Sequence, residues 1–300
     1  MAIAWVFPGQ GSQKVGMADQ AMTLSGANER FTLASDLLGR DLLAICRGEG
    51  ADDSDDPLLN LNDTRNTQPA LFVVESLLVD SLLKQGREAS LVAGHSLGEL
   101  VALYAAGVFD LETGLQLMKT RSELMAAAGS GAMTALIGFD RGELEALIAS
   151  TDGVSIANDN SDAQVVLSGQ PDAVNAVSSG IKCKRAIPLA VSGAFHSPFM
   201  ADAADRFAET LDNTHFRDAR IPVLSNSEPA PTMKGDLLKQ RLKAQMTTGV
   251  RWRETMAALT ENDIDTLVEI GPGNVLSGLA KRSMSGVTTA QIAGAGDLGQ

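Results

Sequence analysis

Ser96 sits in Gly94-His95-Ser96-Leu97-Gly98, directly after the apolar run Ser90-Leu91-Val92-Ala93. Glycine on either side lets a strand turn sharply into a helix while the hydroxyl is held outward, an arrangement that suits covalent acyl chemistry. Glu99 to Ala106 is a good helix-forming stretch without proline, so strand, turn and helix are all present. Ser96 is therefore the candidate nucleophile. A pattern with three fixed positions also arises by chance, so the partners it would need must be found elsewhere in the chain.

A serine hydroxyl needs a base, and histidine is the side chain tuned for that near neutral pH. The chain has 3 histidines. His95 adjoins Ser96 at a strand end, where neighbouring side chains point to opposite faces, so packing is its expected role. His215 lies in the polar segment Asp212-Asn213-Thr214-His215-Phe216-Arg217 and is expected at the surface. His196, in the loop Ser192-Gly193-Ala194-Phe195-His196-Ser197-Pro198, is the remaining candidate for the base. No aspartate or glutamate stands out as a third member.

Acyl transfer also needs donors for the oxyanion. One is the backbone N–H after the serine, at Leu97, and the second is expected from a loop after an earlier strand. Pro8-Gly9-Gln10-Gly11-Ser12-Gln13 is such a loop, and Gln10 is the candidate donor. Glycine loops also hold phosphates, but this one lacks a Gly-Lys-Ser/Thr ending and a G-x-G-x-x-G pattern.

In the helical stretch from Leu111 to Ala128, Leu111, Leu115, Leu117, Met118, Leu124 and Met125 share one arc, and Arg121 falls inside it. A guanidinium facing the interior needs an anion or several acceptors. Either an internal Asp or Glu pairs with it, or it grips a substrate carboxylate through two parallel N–H bonds. Met125 joins it as a candidate lining residue. Gln245 continues the Leu238, Leu242 stripe of a helix from about Asp236 to Met246, and either lines the site or ends the helix.

These residues must be positioned by a larger frame. Ile3-Phe7, Leu91-Gly94, Pro222-Ser225 and Thr266-Ile270 are short apolar runs separated by helical patterns, which predicts an α/β fold with a mainly parallel sheet covered on both faces. Between Gly131 and Ala190 the order is strand (Ala132-Ile137), helix (Arg141-Ser150), strand (Val154-Asn158), strand (Gln164-Ser168), helix (Asp172-Lys182) and strand (Arg185-Leu189). That is the split pattern of a ferredoxin-like unit. Gly129-Ser130-Gly131 and Ser192-Gly193 are suited to the crossings, so the expected division is 1–128 with 193–300 as the larger domain and 129–192 as an inserted subdomain. The acidic run 48–56 is expected to be a solvated loop, and the segment after Gly286 is expected to be ordered at most in part.

A formal net charge of -13 argues against nucleic-acid and membrane partners. Cys46 and Cys183 match no metal or redox spacing, so no metal site is expected. The N-terminal stretch resembles a first strand rather than a signal peptide, and no apolar run reaches the ~18 residues of a membrane span, so a cytoplasmic protein is expected. A monomer is the default expectation.

Phe7-Pro8-Gly9-Gln10-Gly11-Ser12-Gln13, Thr67-Gln68-Pro69-Ala70, Gly94-His95-Ser96-Leu97-Gly98-Glu99, Gly193-Ala194-Phe195-His196-Ser197-Pro198 and Glu269-Ile270-Gly271-Pro272-Gly273 resemble, in order, the signatures of malonyl-CoA:acyl carrier protein transacylases of fatty-acid synthesis. The resemblance runs nearly end to end. It implies a hydrolase-like large domain carrying a ferredoxin-like small one, with the site in the cleft between them. By motif position, Ser96 would take the acyl group, His196 would be the base, Gln10 and Leu97 would supply the oxyanion amides, and Arg121 would bind the malonyl carboxylate. A backbone carbonyl near Gln245 would orient the histidine. Phe195 resembles the malonyl-selecting form of its motif, since methylmalonyl-selecting relatives carry a smaller residue there. Asn158 and Asn160 align with a family segment near the cleft. Met246-Thr247-Thr248-Gly249 departs from the usual spacer.

The implied reaction is ping-pong transfer of malonyl from coenzyme A to the phosphopantetheine thiol of acyl carrier protein, without cofactor or metal. The partners would be malonyl-CoA and the carrier. A serine hydrolase or thioesterase would use the same elbow, and a non-catalytic acyl-binding subunit is a third reading.

Overall fold

The computed structural model describes residues 2–50, 56–129, 131–191 and 193–299. Most of the acidic run, at 51–55, and Ser130 and Ser192 of the two proposed joints lie outside these residues.

Nine strands are described: β1 (Ala2–Phe7), β2 (Leu91–Gly94), β3 (Ala132–Phe139), β4 (Val154–Ser161), β5 (Gln164–Gly169), β6 (Cys183–Pro188), β7 (Val223–Leu224), β8 (Ile264–Ile270) and β9 (Thr288–Ile292). They form two sheets. The larger is five-stranded in the order β7-β2-β1-β8-β9, with every pairing parallel. The smaller is four-stranded in the order β4-β5-β3-β6 and antiparallel.

The parallel sheet is apolar because both its faces are covered. Alternate side chains of β1 divide between two cores: Trp5 and Phe7 pack with the helix Thr64–Lys84, and Ala4 and Val6 pack with Trp252, Met256 and Leu279 on the other side. The small sheet divides likewise. Leu136, Val165 and Leu167 pack under the helices Arg141–Ala149 and Pro171–Gly180, while Met133, Ala135 and Val166 turn towards the main core. That second face forms one wall of a cleft against the carboxyl ends of β1 and β2, the position where open parallel sheets receive ligands.

The C-terminal segment is more ordered than its sequence suggests. β9 pairs along β8 from Thr288 to Ile292, and Leu298 is buried. An edge strand with one half-exposed face needs no continuous apolar run, so Thr-Thr-Ala-Gln-Ile carries little signal.

The helix Thr64–Lys84 contains Pro69, which cannot donate to the Arg65 carbonyl four residues earlier. Arg40 Nη2 donates to that carbonyl at 2.7 Å instead. The helix therefore continues past the proline and carries Gln68 into the cleft.

Candidate active site

Ser96 occupies the turn between β2 and the helix Gly98–Ala105 with φ of 55°, a left-handed conformation that costs a non-glycine residue energy. Its surroundings hold it there. The Ser96 N–H donates to Asn226 Oδ1 at 2.7 Å, and Asn226 Nδ2 donates to the Gly94 carbonyl at 2.5 Å. The flanking glycines are required by contact: a Cβ on Gly94 would lie 1.9 Å from the Gly98 carbonyl, and one on Gly98 would lie 2.2 Å from the Phe7 oxygen.

His196 also has φ of 55° and is nearly fully buried. Ser197, whose hydroxyl donates to the Ala194 carbonyl at 2.6 Å, fixes the local turn. The imidazole Nε2 stands 2.7 Å from Ser96 Oγ, and Nδ1 stands 2.9 Å from the Gln245 carbonyl. A carbonyl can only accept, so Nδ1 carries the proton and Nε2 presents a lone pair to the serine hydroxyl. No carboxylate among the described residues contacts the ring. Burial, with Arg121 nearby, lowers the His196 pKa to about 3, which keeps the ring neutral.

Arg121 is fully buried on the helix Leu111–Ala127. Nη1 donates to Gln68 Oε1 at 2.7 Å, while Nη2 donates to Gln245 Oε1 at 2.8 Å and to Ser96 Oγ at 3.3 Å. Its acceptors are neutral, and among the described residues no carboxylate forms an ion pair with it. Burial pulls its pKa down to about 10, opposed by the charge of Glu99.

Ser96, His196, Arg121 and Met125 line one cavity of about 80 Å³, together with Gln10, Leu97, Phe195 and Asn158. The backbone N–H groups of Gln10 and Leu97 have no acceptor among the described residues. Gly9 brings the Gln10 loop against the elbow: a Cβ there would meet the His95 carbonyl at 2.6 Å. A second cavity of about 210 Å³ shares Gln10, His95, Asn158 and Leu189 with the first and leads outward past Gly11, Val166 and Val275.

Two sequence candidates stand apart from the serine cavity. Gln245 lies behind it, capping the helix Gly235–Ala244 and reaching Arg121 with its side chain and His196 with its carbonyl. Asn160 borders the outer cavity, where its Oδ1 pairs with His95 Nε2 at 2.9 Å. His95 packs as expected, its ring 5.5 Å from the Trp252 ring, and the residue also borders both cavities. His215 is exposed, and burial pushes the Cys46 thiol up to about 12.

Three polar residues of the site have no role in the sequence reading: Gln68, Glu99 and Asn226. Gln68 lies in Thr67-Gln68-Pro69-Ala70 and Glu99 ends Gly94-His95-Ser96-Leu97-Gly98-Glu99, while Asn226 follows the predicted strand Pro222-Ser225 at its carboxyl end, the side on which parallel sheets bind ligands. Glu99 is fully buried, and its Oε2 accepts from Asn226 N at 3.0 Å and Gln245 Nε2 at 2.8 Å. Burial raises its pKa, while those donors and the Arg121 charge pull it back. Among the described residues no group of His, Cys, Asp and Glu could hold a metal ion, and no helix is long and apolar enough to cross a membrane.

A hydroxyl on a strand-to-helix elbow, an imidazole held as acceptor and two unspent backbone N–H groups make a site suited to serine-based acyl transfer. Residues 4–297 match the acyl transferase domain, and the chain belongs to that family. It is 49% identical over 298 residues to the malonyl CoA-acyl carrier protein transacylase of Synechocystis sp., covering 99% of each chain. The crystal structure of the Synechocystis malonyl-CoA:ACP transacylase matches with a TM-score of 0.94 at 48% identity, over 100% of this chain and 99% of that one. A malonyl-transacylase in complex with its type II PKS acyl-carrier protein matches with a TM-score of 0.91 at 36% identity, over 99% of this chain and 98% of that one.

Proposed function

We propose that this protein transfers a malonyl group from coenzyme A to the phosphopantetheine thiol of acyl carrier protein through a malonyl-Ser96 intermediate. The observation that carries the reading is a serine hydroxyl 2.7 Å from an imidazole acceptor and beside a buried guanidinium that has no carboxylate partner among the described residues. A substrate carboxylate supplies that partner.

In the first half-reaction Ser96 Oγ attacks the thioester carbonyl carbon as its proton passes to His196 Nε2. The Gln10 and Leu97 N–H groups stabilise the oxyanion. When the carbon–sulfur bond breaks, Nε2–H protonates the coenzyme A thiolate. In the second half-reaction the carrier thiol gives its proton to Nε2 and attacks the acyl-serine carbonyl, and the serine oxygen recovers that proton on leaving. Arg121 holds the malonyl carboxylate through both halves. Gln245 keeps Nδ1 protonated through its carbonyl. Phe195 and Met125 bound the acyl group, while Asn158 and Asn160 border the path of the pantetheine arm. Residues 129–192 are assigned as the inserted subdomain that closes this cleft over 1–128 and 193–300.

Intact-mass measurement after mixing with malonyl-CoA tests the reading. The native protein should gain one malonyl group and lose it when phosphopantetheinylated carrier is added, and Ser96→Ala should gain none. Labelling of Ser96→Ala, or discharge to water as fast as to the carrier, would overturn it.

A further inference from the structure

Gln245 joins two charges that do not touch each other. Its Oε1 accepts from Arg121 Nη2, and its Nε2 donates to Glu99 Oε2 at 2.8 Å and to the Ser96 carbonyl at 2.9 Å. An amide can present either end to a neighbour, but a guanidinium only donates, so the oxygen must face Arg121. A carboxylate accepts, so Glu99 demands the N–H end and thereby turns the oxygen towards the guanidinium.

We propose that Glu99 is a positioning residue for Arg121, acting through the Gln245 amide to aim the guanidinium at the substrate carboxylate. The inference rests on the reading of Arg121 as the malonyl ligand. Oε2 takes both donors, whereas Oε1 is buried with no hydrogen bond of good geometry among the described residues, the Ser225 hydroxyl being the other donor near the carboxylate. An amide oxygen in its place could accept the same two hydrogen bonds, so the acceptor rather than the formal charge is the operative feature. Without it, only the Ser96 carbonyl and Arg121 itself orient the Gln245 amide, and the rotated state sets N–H against N–H at Arg121. Because acetyl-CoA has no carboxylate for Arg121 to hold, the loss must fall more heavily on malonyl than on acetyl.

The test is the acylation of Ser96 by malonyl-CoA and by acetyl-CoA, with kcat and KM measured separately, in the native protein, Glu99→Gln, Glu99→Ala, Gln245→Met and Arg121→Ala. Glu99→Ala should raise the malonyl KM and lower the malonyl-to-acetyl ratio of kcat/KM by about ten-fold or more, and Glu99→Gln should keep the ratio within about three-fold of native. Gln245→Met, which keeps volume but removes the amide, should reproduce the loss of ratio and decides the question if Glu99→Ala does not fold. Equal losses for malonyl and acetyl in Glu99→Ala, an unchanged ratio in Gln245→Met, or as large a loss in Glu99→Gln would each overturn the role of Glu99. If Arg121→Ala itself leaves the ratio unchanged, the reading of Arg121 falls and this inference falls with it. Collapse of the ratio in Arg121→Ala but not in Glu99→Ala would refute Glu99 alone.

Discussion

Lowering the pH from about 7 to about 5 should leave the rate of Ser96 acylation nearly unchanged, because His196 is held neutral well below the usual range of histidine. Burial is the largest cause, the Arg121 cation and His95 act in the same direction, and the Gln245 hydrogen bond opposes them without prevailing. A histidine at its ordinary 6.5 would be about 97% protonated at pH ~5, and a reaction needing its free Nε2 would slow about 30-fold. With a pKa of about 3, only about 1% is protonated at that pH, and the base remains available. The assay is rapid quenching followed by intact-mass detection of the acyl-enzyme, with kcat/KM for malonyl-CoA taken from about pH 4.5 to 8. Rate is a cleaner readout than stability. A depressed histidine loses stabilisation as pH falls below its unfolded value, but Glu75 and Glu99, both raised by burial, stabilise at low pH and oppose that slope. An acid limb near pH 6.5 in the native enzyme would refute the reasoning, since it would mean that solvent reaches the ring.

Gly98→Ala should destabilise the fold by about 3 kcal/mol or more and abolish acylation, because the added Cβ meets the Phe7 carbonyl rather than a yielding side chain; thermal melting and intact mass check it. Asn226→Ala removes the acceptor for the Ser96 N–H and should slow malonyl and acetyl loading together by about ten-fold, leaving their ratio unchanged in a mixed-substrate assay. Phe195→Ala widens the acyl cavity and should raise use of methylmalonyl-CoA relative to malonyl-CoA by roughly 10- to 100-fold in direct competition.

Ser96 could be located from sequence because an elbow is a local device: the steric reasons for Gly94 and Gly98 lie within a few residues of the serine or on the adjoining strand. Four of the five strands of the parallel sheet were legible for a related reason, since strands covered on both faces must be continuously apolar, and only the edge strand β9 was not. Glu99 and Asn226 were not, because their meaning is a hydrogen bond spanning 127 positions, and a glutamate in the first turn of a helix looks like a surface residue until its surroundings are known. Gln245 was half legible. Its place on an apolar stripe marked it as buried, but nothing along the chain says that its carbonyl and its amide serve different partners.

A cation that must receive a substrate anion inside a protein faces conflicting demands. Buried alone, it would cost several kcal/mol and shed its proton or its position. Paired with an internal carboxylate, it would already be neutralised, and the substrate would have to displace that partner. Arg121 avoids both outcomes by taking amide oxygens from Gln68 and Gln245, which hold the fork without cancelling its charge. The compensating carboxylate, Glu99, stands one residue further back across Gln245, near enough to oppose loss of the guanidinium proton and too far to occupy its binding edge. Placing the counter-charge behind an amide therefore retains the cation and leaves it open to substrate, a combination that direct contact could not provide.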